Sequence, residues 1–261
     1  MICKQILMVR REKMILKKTL NVLPGLLVIL LASLLSCDFS EVPAKDIIKK
    51  INNGEDVYYK NATIKGHLDF ATVKDNVVNG SVTFIGCTFK GDVTAKGTVF
   101  KKDVKFTDSI IVETHPPFFG KESAGNVDFS GAQFMDSANF EGVQFPRHYI
   151  HFEKVQFRGN VCFDGAQFQD FAWFSRAQFT GAATYVGARF IYAEFRATFL
   201  GGASFKDAQF RSTADFYDAQ FTNYANFEGT TFFGAVVFDK ATLNGELFKP
   251  LIMKKTRKIK K

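Results

Sequence analysis

From Asn126 onward the chain repeats one short pattern: a small residue, a polar position, an aromatic ring, then two or three polar or turn-forming positions. The stretches VDFSGAQFMDSANFEGVQF, VCFDGAQFQDFAWFSRAQF and ASFKDAQFRSTADFYDAQF each carry it. Phe129, Phe134, Phe140 and Phe145 are spaced five, six and five residues apart, and the alternation resumes from Phe157 to Phe190 and from Phe210 to Leu243. Two residues before nearly every ring stands a small residue, among them Ala132, Ala138, Val143, Ala166, Ala172, Ala188, Ala208 and Ala219. A period of five matches neither a helix nor a long two-residue alternation. Residues two apart point the same way on extended backbone, so the small and large members of each unit face inward together. A corner after each unit then lets the chain coil, and small beside large fills a narrow interior without voids. Four units make a coil of about 20–22 residues that rises about 4.8 Å, the spacing of neighbouring strands.

Earlier units are looser: Val82/Phe84, Cys87/Phe89, Val93/Ala95, Thr98/Phe100, Val104/Phe106 and Ser109/Ile111. The pattern resembles that of the pentapeptide-repeat family, A-(D/N)-(L/F)-x-x, over Val82 to Leu243, with an opening coil from Ala62 to Phe70. Phe in place of the commoner Leu, and the six-residue units, place it nearest one Phe-rich subset. The resemblance implies an all-β fold, a right-handed quadrilateral β-helix. The segment following Pro43 predicts a short N-terminal capping helix, with Ile47, Ile48 and Ile51 on one face and Gly54 as its stop. At the other end Leu247, Phe248, Leu251, Ile252 and Met253 suit either a cap or a surface that pairs two chains into a homodimer.

Two interruptions need a register. The extra residue between Phe145 and Phe157 is placed at Pro146–Tyr149, leaving Ile150 and Phe152 inside. Around residue 200 the centres are taken as Phe195, Leu200 and Phe205, which keeps every step at five and turns Phe199 outward. The alternative, Ala197 with Phe199, keeps the small–large pair at the cost of a four-residue step. Residues 112–125 (VETHPPFFGKESAG) abandon the pattern and read as a surface loop.

Composition sharpens the picture. Thirty-one Phe against one Trp and seven Tyr indicates a single core position used many times. The net charge of +8 is carried by the ends. Residues 1–37 hold six Lys/Arg and one Glu (+5), and the tail from Lys249 holds seven Lys/Arg and no acid (+7). The body between them is therefore −4, which removes the basic pI as an argument for nucleic-acid binding.

The N-terminus reads as an address. Met14-Ile-Leu-Lys-Lys opens a positive segment, and an apolar run from Val22 to Leu35 leads to Leu34-Leu35-Ser36-Cys37. This resembles a bacterial lipoprotein signal, in which the Cys is diacylated before cleavage and becomes the new N-terminus. Cys37 is thus the expected lipidation site, although Leu35 stands where Ala or Ser is commoner. An uncleaved signal anchor is the other reading. Met14 makes a more typical start than Met1. The division expected is a signal over 1–36, a tether and capping helix over 37–61, a solenoid over 62–248 and a basic tail over 249–261. That tail suits a second contact with anionic lipid, or a solubilising end.

No converging set of catalytic groups emerges. His67, His115, His148 and His151 are scattered, the cysteines show no metal spacing, and no cofactor motif is present. The Gln series (Gln133, Gln144, Gln156, Gln167, Gln178, Gln209, Gln220) faces out and suits a stabilising ladder. With about 22 residues per coil, Phe129, Phe152, Phe174, Phe195, Phe216 and Phe238 share one side. Their outward neighbours include His151, Trp173, Arg176, Arg196 and Tyr217, residue types common at interface hot spots. These five are the first candidate surface, with an ordinary ladder of side chains packed on one another as the other reading, and the 112–125 loop with Phe118 and Phe119 is the second. The leading expectation is a non-catalytic, membrane-anchored interaction or scaffolding surface in the bacterial cell envelope, outside the cytoplasm, with an unidentified protein partner and no nucleic acid. Two alternatives remain: a DNA-mimic regulator of gyrase, as some members of the resembled family are, if the protein is cytoplasmic, and an envelope enzyme using a solenoid face.

Overall fold

The computed structural model describes residues 40–112, 127–145 and 149–248. They form the expected all-β, right-handed quadrilateral β-helix with one helix at its N-terminal end. One face is a ladder of eight parallel strands from Val57–Lys60 to Ala225–Asn226, one strand per coil, so the solenoid has eight coils. The other three faces repeat this arrangement. Most strands are two residues long, because each face accommodates little more than one small–polar–large unit before the chain must turn.

The interior is four columns of side chains running along the axis. Phe152, Phe174, Phe195 and Phe216 stack with centroid separations of 5.0, 4.8 and 5.2 Å and interplanar angles of 8° or less. Neighbouring columns meet edge to face, as Phe163 and Phe152 do at 5.4 Å and 81°. The strand spacing imposes the stacked separation, and the edge-to-face contacts align ring edges with the electron-rich faces of the next column. Each fully buried Phe contributes roughly 2–3 kcal/mol. The small residues give the rings room: Ala172, Ala193 and Ala214 lie in register and fully buried along one face.

Both register questions have answers. Ile150 and Phe152 are buried as expected. The five-residue step through Leu200 is wrong: Phe199 is fully buried and Leu200 is exposed. Phe199 stacks on Phe179 at 4.6 Å and on Phe221 at 5.0 Å. Continuity of the aromatic column outweighs uniform spacing, and the short step closes with Ala197 N–H donating to the Phe195 carbonyl at 2.8 Å. The corner that follows at Gly201 is the regular one. Gly159, Gly181 and Gly201 lie above one another, and a Cβ on Gly201 would stand 2.3 Å from the Gly181 carbonyl carbon.

The helix Ala44–Asn52 buries Ala44, Ile47 and Ile51 against the core at the open edge of the first coil, with Asp46 in its first turn and Lys49 and Lys50 in its last, matching its dipole. Strand Glu41–Pro43, which the sequence did not suggest, pairs with Thr63–Lys65 just ahead of it. At the far end Phe248 packs within 5.5–5.9 Å of Phe221, Phe227 and Phe238, while Leu247 is exposed. Leu251, Ile252 and Met253 lie outside the described residues, as do the signal segment and most of the 112–125 loop. Among the described residues no helix is long and apolar enough to cross a membrane.

Candidate interaction surface

Two of the four faces are joined rather than separated. At one corner, strands Gln167–Trp173 and Arg189–Glu194 run straight through where other coils turn, merging two ladders into a single fifteen-stranded sheet. A bulge between Phe168 and Phe171 absorbs the extra residue of the first strand. Beyond this corner the backbone alternates strictly. Ile150, Ala172 and Ala193 point in, and the residues on either side of each point out.

The outward positions form two adjacent columns. One is Tyr149, Phe171 and Tyr192; the other is His151, Trp173, Glu194 and Asp215. Tyr149 stacks on Trp173 at 4.9 Å, His151 lies 4.8 Å from Trp173, and Phe171 lies 4.7 Å from Tyr192. Tyr149 is 52% exposed and Phe171 37%. The result is a shelf of contiguous aromatic surface on rigid sheet.

Polar groups border the shelf. His151 Nδ1 lies 3.0 Å from Glu153 Oε2, which also accepts from Ser130 Oγ at 3.2 Å. Burial raises the Glu153 carboxyl, but the His151 hydrogen bond, its own backbone amide and Ser130 together outweigh this and leave it below the usual carboxylate range. Glu194 accepts from Ser175 Oγ. Arg196 donates to Asp215 Oδ2 from Nη2 at 2.6 Å and from Nε at 3.0 Å, and these bonds raise its already high pKa. Asp215 also accepts from the Tyr217 amide at 2.8 Å. The Tyr217 ring lies between Arg196, 5.4 Å from its centroid, and Lys240, 5.3 Å away. Between these groups runs an open groove of about 710 Å³, lined among others by Lys96, Lys154, Arg176 and Tyr217.

The structure therefore brings His151, Trp173, Arg176, Arg196 and Tyr217 onto one continuous surface. Phe118, Phe119 and Cys37 lie outside the described residues. The sequence reading missed Tyr149, Phe171 and Tyr192. Their signal was the short alternation Tyr-Ile-His, Phe-Ala-Trp and Tyr-Ala-Glu, a bulky–small–bulky rhythm of period two within a period of five. The Gln residues do align between coils, Gln133 with Gln156 and Gln178, and Gln144 with Gln167. Cys87 is buried and Cys162 half-buried, both as free thiols, with burial as the first cause raising each. Among the described residues no group of three or more His, Cys, Asp or Glu gathers at metal-binding distance.

The chain also has likenesses among known proteins. Two solved structures that match are trypsin-treated variants of QnrB1, a plasmid-mediated fluoroquinolone resistance protein. The first is 14% identical, covers 73% of this chain and 91% of its own and gives a TM-score of 0.29; the second is 13% identical, covers 73% and 92% and gives 0.23. A search of curated proteins gave no match. Residues 152–198 and 195–242 match the family described as Pentapeptide repeats (9 copies). The Phe-centred units of residues 152–242 match pentapeptide repeats, and the solenoid has the form of a pentapeptide-repeat β-helix.

Proposed function

We propose that the protein is a non-catalytic interaction module, tethered to a bacterial envelope membrane through lipid on Cys37, and that it binds a protein partner with the Tyr149–Trp173 face. The observation that carries this reading is the aromatic shelf itself. Cross-strand stacking of Tyr149 and Trp173 stabilises the sheet by only about 0.2–1 kcal/mol, and contiguous apolar patches rimmed by polar groups mark interaction sites. Trp, Tyr and Arg dominate binding energy where they occur centrally, and here they stand on backbone fixed on both sides by ladder hydrogen bonds. Little ordering cost then falls on this partner at association. The polar groups near the shelf are engaged with one another rather than arranged around a reacting atom, which favours binding over chemistry.

The membrane tether is supported by the Val22–Leu35 apolar run ending at Cys37. Two acyl chains suffice for stable anchoring where one is marginal. Fractionation with protease access, comparing the wild type with Cys37→Ala, tests the address. Wild type in the membrane fraction outside the cytoplasm, with the variant released, is the expected result. Both proteins soluble in the cytoplasm would overturn it and reopen the DNA-mimic reading.

A further inference from the structure

Most coils place a left-handed residue at two of their corners, and the chain supplies it in two ways. At the corner after Phe106, Phe140, Phe163, Tyr185, Phe205 and Phe227 it uses Asp108, Gly142, Gly165, Gly187, Asp207 and Gly229. Glycine has no Cβ to clash there, and Asp and Asn tolerate the conformation. The corner beside the aromatic shelf differs. It begins with Gly97 and Gly131, then places Lys154 (φ 56°) and Arg176 (φ 58°), has no left-handed residue at the short step after Phe195, and goes on with Asp218 (φ 57°) and Lys240 (φ 59°). Every other non-glycine residue with positive φ among the described residues is Asn or Asp.

The turns do not require these side chains. What the coil uses is the backbone: Lys154 N–H donates to the Ser175 carbonyl at 2.9 Å and Arg176 N–H to the Arg196 carbonyl at 2.8 Å, as Gly131 N–H does to Glu153 at 2.8 Å. Lys154 and Arg176 also stand in adjacent coils, their backbones about 4.8 Å apart by strand spacing. Non-glycine residues held in the left-handed region at a cost cluster at functional sites.

The charges of the groove point the same way. Glu153, Glu194 and Asp215 are engaged by His151, Ser130, Ser175 and Arg196, and Lys240 lies against Tyr217. Lys154 and Arg176 have no ion-pair partner among the described residues. Among the described residues that line it, Lys96, Lys154 and Arg176 stand without an ion pair against Asp218 alone, so the groove's unpaired charge is net basic, and it adjoins the shelf of Tyr149, Phe171 and Trp173.

We propose that this groove receives an acidic, apolar-bearing segment of a protein partner, its carboxylates seated on Lys154 and Arg176 and its apolar side chains on the aromatic shelf. This rests on the reading of the face as an interaction surface. A uniform polyanion such as nucleic acid suits it less, because it would set charges against Asp218 and the apolar shelf as well as against Lys154 and Arg176. A peptide sets acids and apolar groups where the surface wants each.

The test is a titration of the full chain, purified in mild detergent, with a fluorescein-labelled peptide alternating glutamate and phenylalanine. Its lysine counterpart and a short DNA duplex serve as controls. The acidic peptide is expected to bind, with salt weakening it, and the two controls are not. The double variant Lys154→Gly/Arg176→Gly is expected to lose at least tenfold in affinity while its unfolding midpoint rises, since glycine relieves both corners. A purely structural role predicts the opposite pair of changes. Failure of the acidic peptide to bind, unchanged affinity in the double variant, or preferential binding of the duplex would overturn the proposal. Photocrosslinking in cells from position 173 separates the two levels. Crosslinks that persist in the double variant leave the face standing and overturn only its acidic specificity, whereas no crosslinks from either protein overturn the face as well.

Discussion

Tyr185 occupies a column of rings in which its neighbours along the axis are phenylalanines. It lies 5.1 Å from Phe163 and 4.8 Å from Phe205, tilted by no more than 3° from either. Its hydroxyl is buried and finds no hydrogen-bond partner among the protein atoms, and burial holds its pKa well above the ordinary value. A hydroxyl left unpaired in an apolar interior costs about 1–3 kcal/mol. Against this, Tyr185→Phe loses the dispersion contacts of one oxygen, a handful at about 0.1–0.2 kcal/mol each. The difference favours phenylalanine by roughly 1–2 kcal/mol, and the ring need not move because Phe163 and Phe205 already fit the same column. Denaturant unfolding and calorimetry of the wild type and Tyr185→Phe measure it, with an expected rise of about 2–4 °C per kcal/mol for a domain of this size. Phe163→Tyr, one coil away, is the reciprocal control and is expected to destabilise. A Tyr185→Phe variant less stable than the wild type would refute the reasoning, because it would mean that the hydroxyl has a partner worth keeping, such as an internal water.

Other consequences follow from the same geometry. Phe199→Ala is expected to cost about 3–5 kcal/mol through a cavity in the aromatic column, whereas Leu200→Ala stays within about 0.5 kcal/mol; equal effects in chemical denaturation would contradict the four-residue step. Glu153 has a lowered folded-state pKa, so its stabilising contribution is complete above the ordinary carboxylate range and drains away as pH falls through the lowered value. Glu153→Gln is therefore expected to flatten the acid side of the stability–pH curve, and an unchanged acid limb would show that the His151 and Ser130 bonds contribute little.

The repeat was legible because it is local. Ala166 and Phe168, or Ala219 and Phe221, lie two residues apart on one strand, and burial of both follows from their spacing whatever the rest of the molecule does. The helix cap was legible for the same reason, since Ile47 and Ile51 are one turn apart. The face shared by His151, Trp173, Arg176, Arg196 and Tyr217 could be read as well, by counting about 22 residues per coil. The choice between Phe199 and Leu200 could not. Either satisfies the chain nearby, and Phe179 and Phe221 in the coils on either side decide it.

What the sequence determined by itself, then, was the coil, its Phe-filled interior, and which side of it carries the unusual outward residues. Only the tertiary structure decided that two strands pass straight through one corner, that Tyr149, Phe171 and Tyr192 align outside them, and that Lys154 and Arg176 occupy left-handed corners in adjacent coils. The reason is physical. Whether a residue is inside or outside depends on neighbours a few bonds away, but alignment between coils is set by hydrogen bonds spanning roughly twenty residues, and an interaction surface is made of such alignments.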